Sequence, residues 1–413
     1  MNERESSGRA GRGGAARREV SGDDTLSLVV CTYRRPHEVE RLLRAIAVQT
    51  RMPDEMLIVD GSPDDETERV VRKFIHESAR GGGNAVSDLG SGLKYFRVPP
   101  AERGLTRQRN YGVERARGSF VSFLDDDTVP ESDYFAETLA CFARHPEACG
   151  VGGFITNEVE WRRADESVGK HDQSSDGDSD PTASSVVISV TASPRSRVPA
   201  SVFRWGEWER REALRWRLRG ALGLASELPP GWMPSEGHGR PVAYLPPDGG
   251  DYAVEFLMGC SFTFRREVFA RHRFSSFFEG YGLYEDMDFC VRAAADAPLY
   301  LATRARLAHY HAPAGRPSRF RYGRMVVRNG WFVWRRRHPR PPLGARTRWW
   351  ATTLLLALCE LADVARGPRR TDALAEIAGR LWEMARLLHQ TPEVESCRGP
   401  KAVEKWTVLS KNY

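Results

Sequence analysis

The sequence predicts an α/β fold, with a mostly parallel central sheet carrying helices on both faces and a helical extension towards the C-terminus. Three features point there. Short apolar, β-branched runs alternate with stretches whose apolar residues recur at helical spacing, the pattern of strand and crossover helix. Three of those runs stop abruptly at polar clusters, TYRRP, DGS and DDD, and the carboxyl ends of parallel strands are where ligands collect in such a sheet. Beyond residue 315 the pattern becomes purely helical and arginine-rich.

Leu26 to Cys31 (LSLVVC) reads as the first strand, and Val39, Leu42, Leu43 and Ile46 then mark one face of a helix. Met56 to Val59 leads into DGSPDD and a helical stretch with Val70, Val71, Phe74 and Ile75. A Gly/Ser-rich connection, Ser78 to Gly92, precedes a third strand at Leu93 to Val98 and a helix from about Thr106 to Ala116. Phe120 to Leu124 (FVSFL) is a fourth strand running into DDD, with a helix following from Ser132 to Arg144. From Glu160 to Asp251 the alternation stops. Asp165 to Ser185 is acidic and almost without apolar residues, so a disordered or mobile loop is expected there, while Phe203 to Leu224 reads as a helix with Trp205, Trp208, Leu218 and Leu222 on its apolar side. Phe256 to Phe264 reads as a strand and Tyr284 to Ala294 as a helix. Trp349 to Cys359 is apolar for too few residues to span a bilayer, which leaves a buried helix or one lying on a membrane. In Thr371 to Gln390, Leu374, Ile377, Leu381, Met384 and Leu388 form one stripe, and Thr371 is the expected N-cap. The organisation expected is a tail over 1–24, a main domain over 25–315 with an insertion at 160–251, a helical extension over 316–395 and a tail over 396–413.

A chain of 413 residues with 41% apolar content can bury a large core. Seven scattered cysteines, never spaced as CxxC, argue against a disulfide framework or zinc knuckle and fit a reducing cytoplasm. Met1 to Asp24 has no apolar stretch resembling an export signal. The net charge of +6 is uneven, because thirteen arginines and no carboxylate lie between Arg304 and Arg348. Such a run is either a solvated face or a patch for an anionic partner, such as a phospholipid surface or a diphosphate-linked acceptor. No nucleic-acid-binding module accompanies it, and no nucleic-acid partner is expected.

Side chains two apart in extended chain point the same way, so Asp125 and Asp127 leave the fourth strand facing one side. They repel unless a cation lies between them, and magnesium or manganese suits a site that is completed by water and substrate phosphate. Arg107 and Arg109, near the start of a helix, face the unfavourable end of its dipole, which a bound diphosphate would offset. Asp60, with Gly61 and Ser62, reads either as a ribose or base acceptor or as a turn cap. Glu285, Asp286 and Asp288 read either as a well-capped acidic helix start or as a site holding a general base. His309 and His311 are candidates to complete the metal shell, and we assign the metal to Asp127, Asp125 and His311.

Five segments in order, SLVVCTYRRP, LIVDGS, GLTRQRNYGVERARGSFVSFLDDD, GCSFTFRREVF and YEDMDFCVR, resemble the family 2 glycosyltransferases, inverting enzymes of the GT-A (Rossmann-like) fold. The resemblance covers roughly Leu26 to Pro313. It implies that Thr32, Tyr33, Arg34 and Asp60 line a nucleotide pocket, with Arg107, Arg109 and Asn110 beside the nucleotide sugar. It also implies that Asp125, Asp126 and Asp127 carry ribose and metal contacts and that Asp286 is the catalytic base, with Glu285 and Asp288 on the acceptor side. The chain departs from the family pattern in having Asp60 alone where many members have two aspartates, and RFSSFFEGYGLYED before the acidic pair. The expected function is transfer of a sugar from a UDP-, GDP- or dTDP-sugar to a hydroxyl of a glycan or lipid-linked acceptor. Mg2+ or Mn2+ is the expected cofactor, and the expected place of work is the inner face of the plasma membrane, in peripheral contact with anionic lipid. The competing expectations are a sugar nucleotidyltransferase, whose Gly-rich basic loop is not found in TYRRPHEV, and a noncatalytic glycan-binding or membrane-scaffold protein.

Overall fold

The computed structural model describes residues 21, 24–80, 92–164, 202–278, 280–361 and 370–394. The tails, most of the Gly/Ser-rich connection and the acidic loop at 165–185 lie outside the described residues. The chain divides into two compact units, one formed by residues 1–158 with 226–413 and the other by Val159–Ala225.

In the larger unit the strands are β1 (Leu26–Thr32), β2 (Glu55–Asp60), β3 (Leu93–Arg97), β4 (Phe120–Asp125), β5 (Thr128–Pro130) and β6 (Gly150–Ile155). The smaller unit contributes β7 (Arg162–Arg163), β8 (Val202–Trp205) and β9 (Trp208–Arg211), and β10 (Asp251–Val254), β11 (Ser261–Arg265) and β12 (Leu299–His309) return to the larger one. The main sheet runs β10-β12-β6-β11-β4-β1-β2-β3, with β5 paired to β12. β1 to β4 are parallel neighbours, as are β6 and β12, whereas β10 and β11 run against them. This mostly parallel sheet is the α/β fold class expected from the sequence.

Continuous apolar strands mean that both faces are covered, and β1 shows how. Leu28 and Val30 share a core cluster with Val39, Leu42, Leu43 and Ile46 of helix α1 (Pro36–Ile46). Val29 points the other way, onto helix α3 (Leu105–Arg115), where a Cβ at Gly112 would collide with its Cγ1. Helix α2 (Glu66–Arg80) packs beside α1, and α4 (Tyr134–Arg144) adds Phe135 and Phe142 to the same cluster. On the α3 side, Phe123, Phe262, Phe264, Phe269, Phe274 and Phe289 make tilted, stacked and edge contacts that fix helix α6 (Glu285–Ala293) under the sheet.

Two sequence expectations are corrected. The stretch from Phe203 begins as a hairpin, in which β8 and β9 pair through Trp205 and Trp208 across a turn at Gly206 (φ +55°), and only then becomes helix α5 (Leu214–Ala221). The left-handed glycine supplies the turn that a helix would exclude. The strand expected from Phe256 begins at Ser261, because residues 256–260 form the loop that carries Gly259 to the site.

The C-terminal extension is α7 (Arg319–Arg337), α8 (Leu343–Cys359) and α9 (Arg370–His389). α7 and α9 cross at two glycines: a Cβ at Gly323 would collide with the Glu376 carbonyl, and one at Gly379 with the Phe320 carbonyl. The crossing is held by Arg319 on Glu376 (3.4 Å) and Arg324 on Glu383 (3.0 Å). Other members of the arginine run are also consumed inside the protein, Arg336 on Asp288 (2.9 Å), Arg337 on Glu255 (2.6 Å) and Arg348 on Glu236 (3.3 Å), so the run is not one free basic face. No helix among the described residues is long and apolar enough to cross a membrane. Gly323→Ala should destabilise the protein by about 1–3 kcal/mol, the usual cost of overpacking, as measured by urea denaturation. An unchanged midpoint would mean that the α7–α9 crossing is looser than described.

Candidate functional site

Register brings the polar clusters together. Thr32 lies beside Asp60, and Cys31 beside Asp125, so the parallel strands end on one edge. The chain after Asp127 turns at once into β5, which pairs antiparallel with the end of β12, Thr128 against His309. That pairing sets His309 next to Asp127, although their positions in the sequence are 182 apart (309 − 127).

The three aspartates have different partners. Asp125 is 3.3 Å from Arg109. Asp126 accepts hydrogen bonds from Thr32 Oγ1 (2.7 Å) and Arg35 (2.8 Å); its burial pushes the carboxyl up to about 7, despite the Arg35 charge. Asp127 accepts from the Ala312 N–H (2.7 Å) and Arg35 (3.4 Å), and its Oδ1 lies 3.1 Å from His309 Nε2. Burial alone would raise Asp127, but the His309 imidazolium and the Ala312 N–H outweigh it and hold the carboxyl at about 2. Burial also works against a charged His309, and its contacts with Asp127, Cys260 and Glu158 reverse that, so the ring is held protonated well above the usual histidine range.

Asp125, Asp127 and His309 offer donor atoms that all lie within 4.8 Å of one another. Asp127 Oδ1 is buried and faces only His309 Nε2, at 3.1 Å, while His309 Nδ1 faces Glu158 at 3.5 Å. Two carboxylates and, once a cation displaces the proton that His309 holds, one imidazole leave coordination positions open for phosphate and water, and so the residues fit a divalent cation such as Mn2+ or Mg2+. His311 sits elsewhere: its Nε2 is 3.1 Å from Glu158, and it groups with Glu158 and His309. The rings of His309 and His311 lie 3.9 Å apart, and only His309 groups with the aspartates.

Across the edge lies a second acidic group. Arg109, buried, bonds Glu285, the Gly259 carbonyl (2.8 Å) and Asp125. Burial opposes its charge, but Glu285 and Asp125 more than compensate, and the guanidinium stays protonated. Glu285 itself is pushed up to about 8 by burial, against the pull of Arg109. Asp286 accepts N–H bonds from Gly259 (2.9 Å) and Met287 (2.8 Å); burial raises its carboxyl, and these two bonds offset part of the rise. A Cβ at Gly259 would stand 2.9 Å from the Asp286 Cβ and 3.0 Å from Arg109 Nη1, so only glycine lets this loop close over both. Tyr284, at φ +70°, turns the chain sharply into α6 and aims its first residues at this edge.

The remaining sequence candidates are placed as follows. Thr32 holds Asp126, while Tyr33 and Arg34 are exposed at the mouth of the edge, Arg34 at φ +56° with its N–H on Ser62. Asp60 is fully buried, with one oxygen on the Ser62 N–H (2.7 Å) and the other on Tyr95 (2.8 Å), the turn-cap arrangement. Arg107 is half-buried and bonds the Ala101 carbonyl (2.8 Å); with Arg103, Gly104, Thr106 and Gly280 it lines a cavity of about 190 Å³ at the start of α3. Asn110 bonds both the carbonyl (2.9 Å) and N–H (3.0 Å) of Phe274 and so anchors the loop before α6. Asp288 has no exposed surface and is paired with Arg292 (2.8 Å) and Arg336 (2.9 Å), fastening α6 to α7. Sequence reasoning missed Arg35, which ties Asp126 and Asp127 to the Ala314 carbonyl (2.5 Å); the second arginine of TYRRP was its only signal.

Residues 27–192 match the family model described as "Glycosyl transferase family 2". The chain carries a family 2 glycosyltransferase domain. The chain is 26% identical over 132 residues to a glucosyl-dolichyl phosphate glucuronosyltransferase of Haloferax volcanii, covering 32% of this chain and 38% of that protein. It is 29% identical over 102 residues to the GalNAc(5)-diNAcBac-PP-undecaprenol beta-1,3-glucosyltransferase of Campylobacter jejuni, covering 25% of this chain and 29% of that protein. The chain thus spans less than two fifths of the length of these curated relatives. Among solved structures, the mannosyltransferase PcManGT from Pyrobaculum calidifontis, in complex with GDP-Man and Mn2+, aligns over 94% of this chain and 84% of its own at a TM-score of 0.47 and 17% identity. The matched segment of the family 2 domain carries Thr32, Arg35, Arg109 and all three aspartates; Asp286 and His309 lie beyond it.

If His309 is a metal ligand and His311 its neighbour, His309→Ala should weaken Mn2+ binding by at least about tenfold in calorimetric titration, as loss of a ligand does, while His311→Ala changes it less. The reverse order would assign the metal to the Glu158 side.

Proposed function

We propose that the protein is an inverting glycosyltransferase, moving a sugar from a nucleotide-diphosphate sugar to a hydroxyl of a lipid-linked or glycan acceptor. The observation that supports this is Arg109, which bonds Asp125 of the cation-fitting group and the carbonyl of Gly259, whose N–H donates to the base candidate Asp286.

Asp286 is the base in this reading. It takes the proton of the acceptor hydroxyl as the new bond forms between that oxygen and the anomeric carbon, and the bond from that carbon to the diphosphate oxygen breaks on the opposite face. A carboxyl raised by burial accepts a proton more readily in the transition state than an exposed one, and the N–H groups of Gly259 and Met287 fix its orientation. A divalent cation at Asp125, Asp127 and His309 would neutralise charge developing on the leaving diphosphate. Thr32 and Arg35 hold Asp126 and Asp127 in place, and Tyr33 and Arg34 stand at the mouth, where a nucleotide would enter. The choice of a lipid-linked acceptor is supported by the relatives' names, both of which carry polyprenyl-phosphate groups.

Asp286→Asn should lower transfer by at least about a hundredfold, within the range ascribed to general bases, and leave donor binding within a few-fold. Full transfer by that variant would remove Asp286 from the mechanism. Enzyme treated with EDTA should be inactive and recover with Mn2+ or Mg2+, and a panel of UDP-, GDP- and dTDP-sugars read by thermal stabilisation should single out one nucleotide. Undiminished turnover in EDTA would contradict the metal's role.

A further inference from the structure

Helix α9 splits its apolar residues between two faces. It buries Ile377 and Leu387 together with Glu376 and Glu383, which meet arginines of α7, and Arg380, while Leu374 (51% exposed), Leu381 (42%), Trp382 (46%) and Leu388 (70%) face outwards. With Ala378 and Ala385 these leucines recur at steps of three and four residues, so they form one apolar arc along the helix. α8, joined to α9 by Arg380 on Glu360 (3.3 Å), does the same: Leu343, Leu354, Leu358 and the following Leu361 are exposed on one arc, while Trp349, Thr352 and Ala357 are buried.

Exposed apolar arcs of this length mark a surface that something covers. The charge around them says what. Glu360, Glu376 and Glu383 are all drawn back onto arginines, leaving Asp372 as the exposed carboxylate of the described part of the two helices, whereas Arg340 and Arg346 at the start of α8 and Arg370 at the start of α9 are exposed. Leucines and a tryptophan on one arc, with negative charge withdrawn and arginines beside it, complement an anionic lipid surface. Neither helix is long and apolar enough to span a bilayer, so they would lie in its interface.

We propose that the leucine arcs of α8 and α9 seat this protein on anionic phospholipid. The proposal deepens the lipid-linked acceptor reading, and it locates the contact in these leucines rather than in the arginine run as a whole.

The test is co-sedimentation of the full chain with vesicles of phosphatidylcholine alone or mixed with phosphatidylglycerol, at low and high salt, beside the variant Leu374→Glu/Leu381→Glu/Leu388→Glu and the milder Arg346→Glu/Arg370→Glu. Expected are binding to the phosphatidylglycerol vesicles that falls at high salt, loss of at least about tenfold in the leucine variant, and a smaller, salt-sensitive loss in the arginine variant. Hydrolysis of the donor sugar, measured on the same samples, should not change in either variant. This readout separates a misfolded variant from one that has lost its lipid contact, and it tests the enzymatic reading independently. Absence of binding by the unaltered chain, equal binding by the leucine variant, or a lipid-free dimer that the leucine substitutions dissolve would overturn the proposal.

Discussion

A single buried cation holds the site together. Arg109 projects from α3 under the end of β4 and satisfies Glu285, Asp125 and a loop carbonyl at once. Without it, acidic groups from α6 and β4 would face one another in a poorly solvated space, where like charges repel strongly and an unpaired charge costs several kcal/mol. The aromatic layer of Phe123, Phe262 and Phe274 surrounds the guanidinium, so its position is fixed by packing as well as by charge.

Five carboxylates converge here, and two arginines divide four of them. Arg109 serves Glu285 and Asp125, whereas Arg35 serves Asp126 and Asp127 and also grips the chain after β12. The division is unequal in a useful way. Asp126 uses both oxygens within the protein, while Asp127 keeps Oδ1 free of hydrogen bonds and turned towards His309. The negative charge left over is what a divalent cation would neutralise, and Asp286 has its orientation fixed by two backbone N–H groups, one from Gly259, whose carbonyl Arg109 holds.

The sheet was legible because β1, β2 and β4 are buried on both faces and so read as unbroken apolar runs that end sharply in polar residues. What escaped were choices made by tertiary contact. Alternation along a strand does not separate His309 from His311, since it predicts the same side for both; the chain breaks alternation by taking His311 to φ +51°, and the pairing of β5 with β12 selects His309. Asp60, Asn110 and Asp288 have the residue types of a site, yet each spends polar atoms on the scaffold. The leucine periodicity of α9 was plain, but periodicity names a face without saying which way it points. Glu376 and Glu383 pair with arginines of α7, and Leu374, Leu381 and Leu388 face out while Ile377 and Leu387 stay buried.

The most direct test of a cation held at the end of β4 opposite Asp286 is anomalous diffraction from crystals grown with Mn2+ and a nucleoside diphosphate. The arrangement described predicts one anomalous peak within coordination distance of Asp125, Asp127 and His309, with the diphosphate on its open side. A peak on Glu158 and His311 instead, or none at the aspartates, would contradict it.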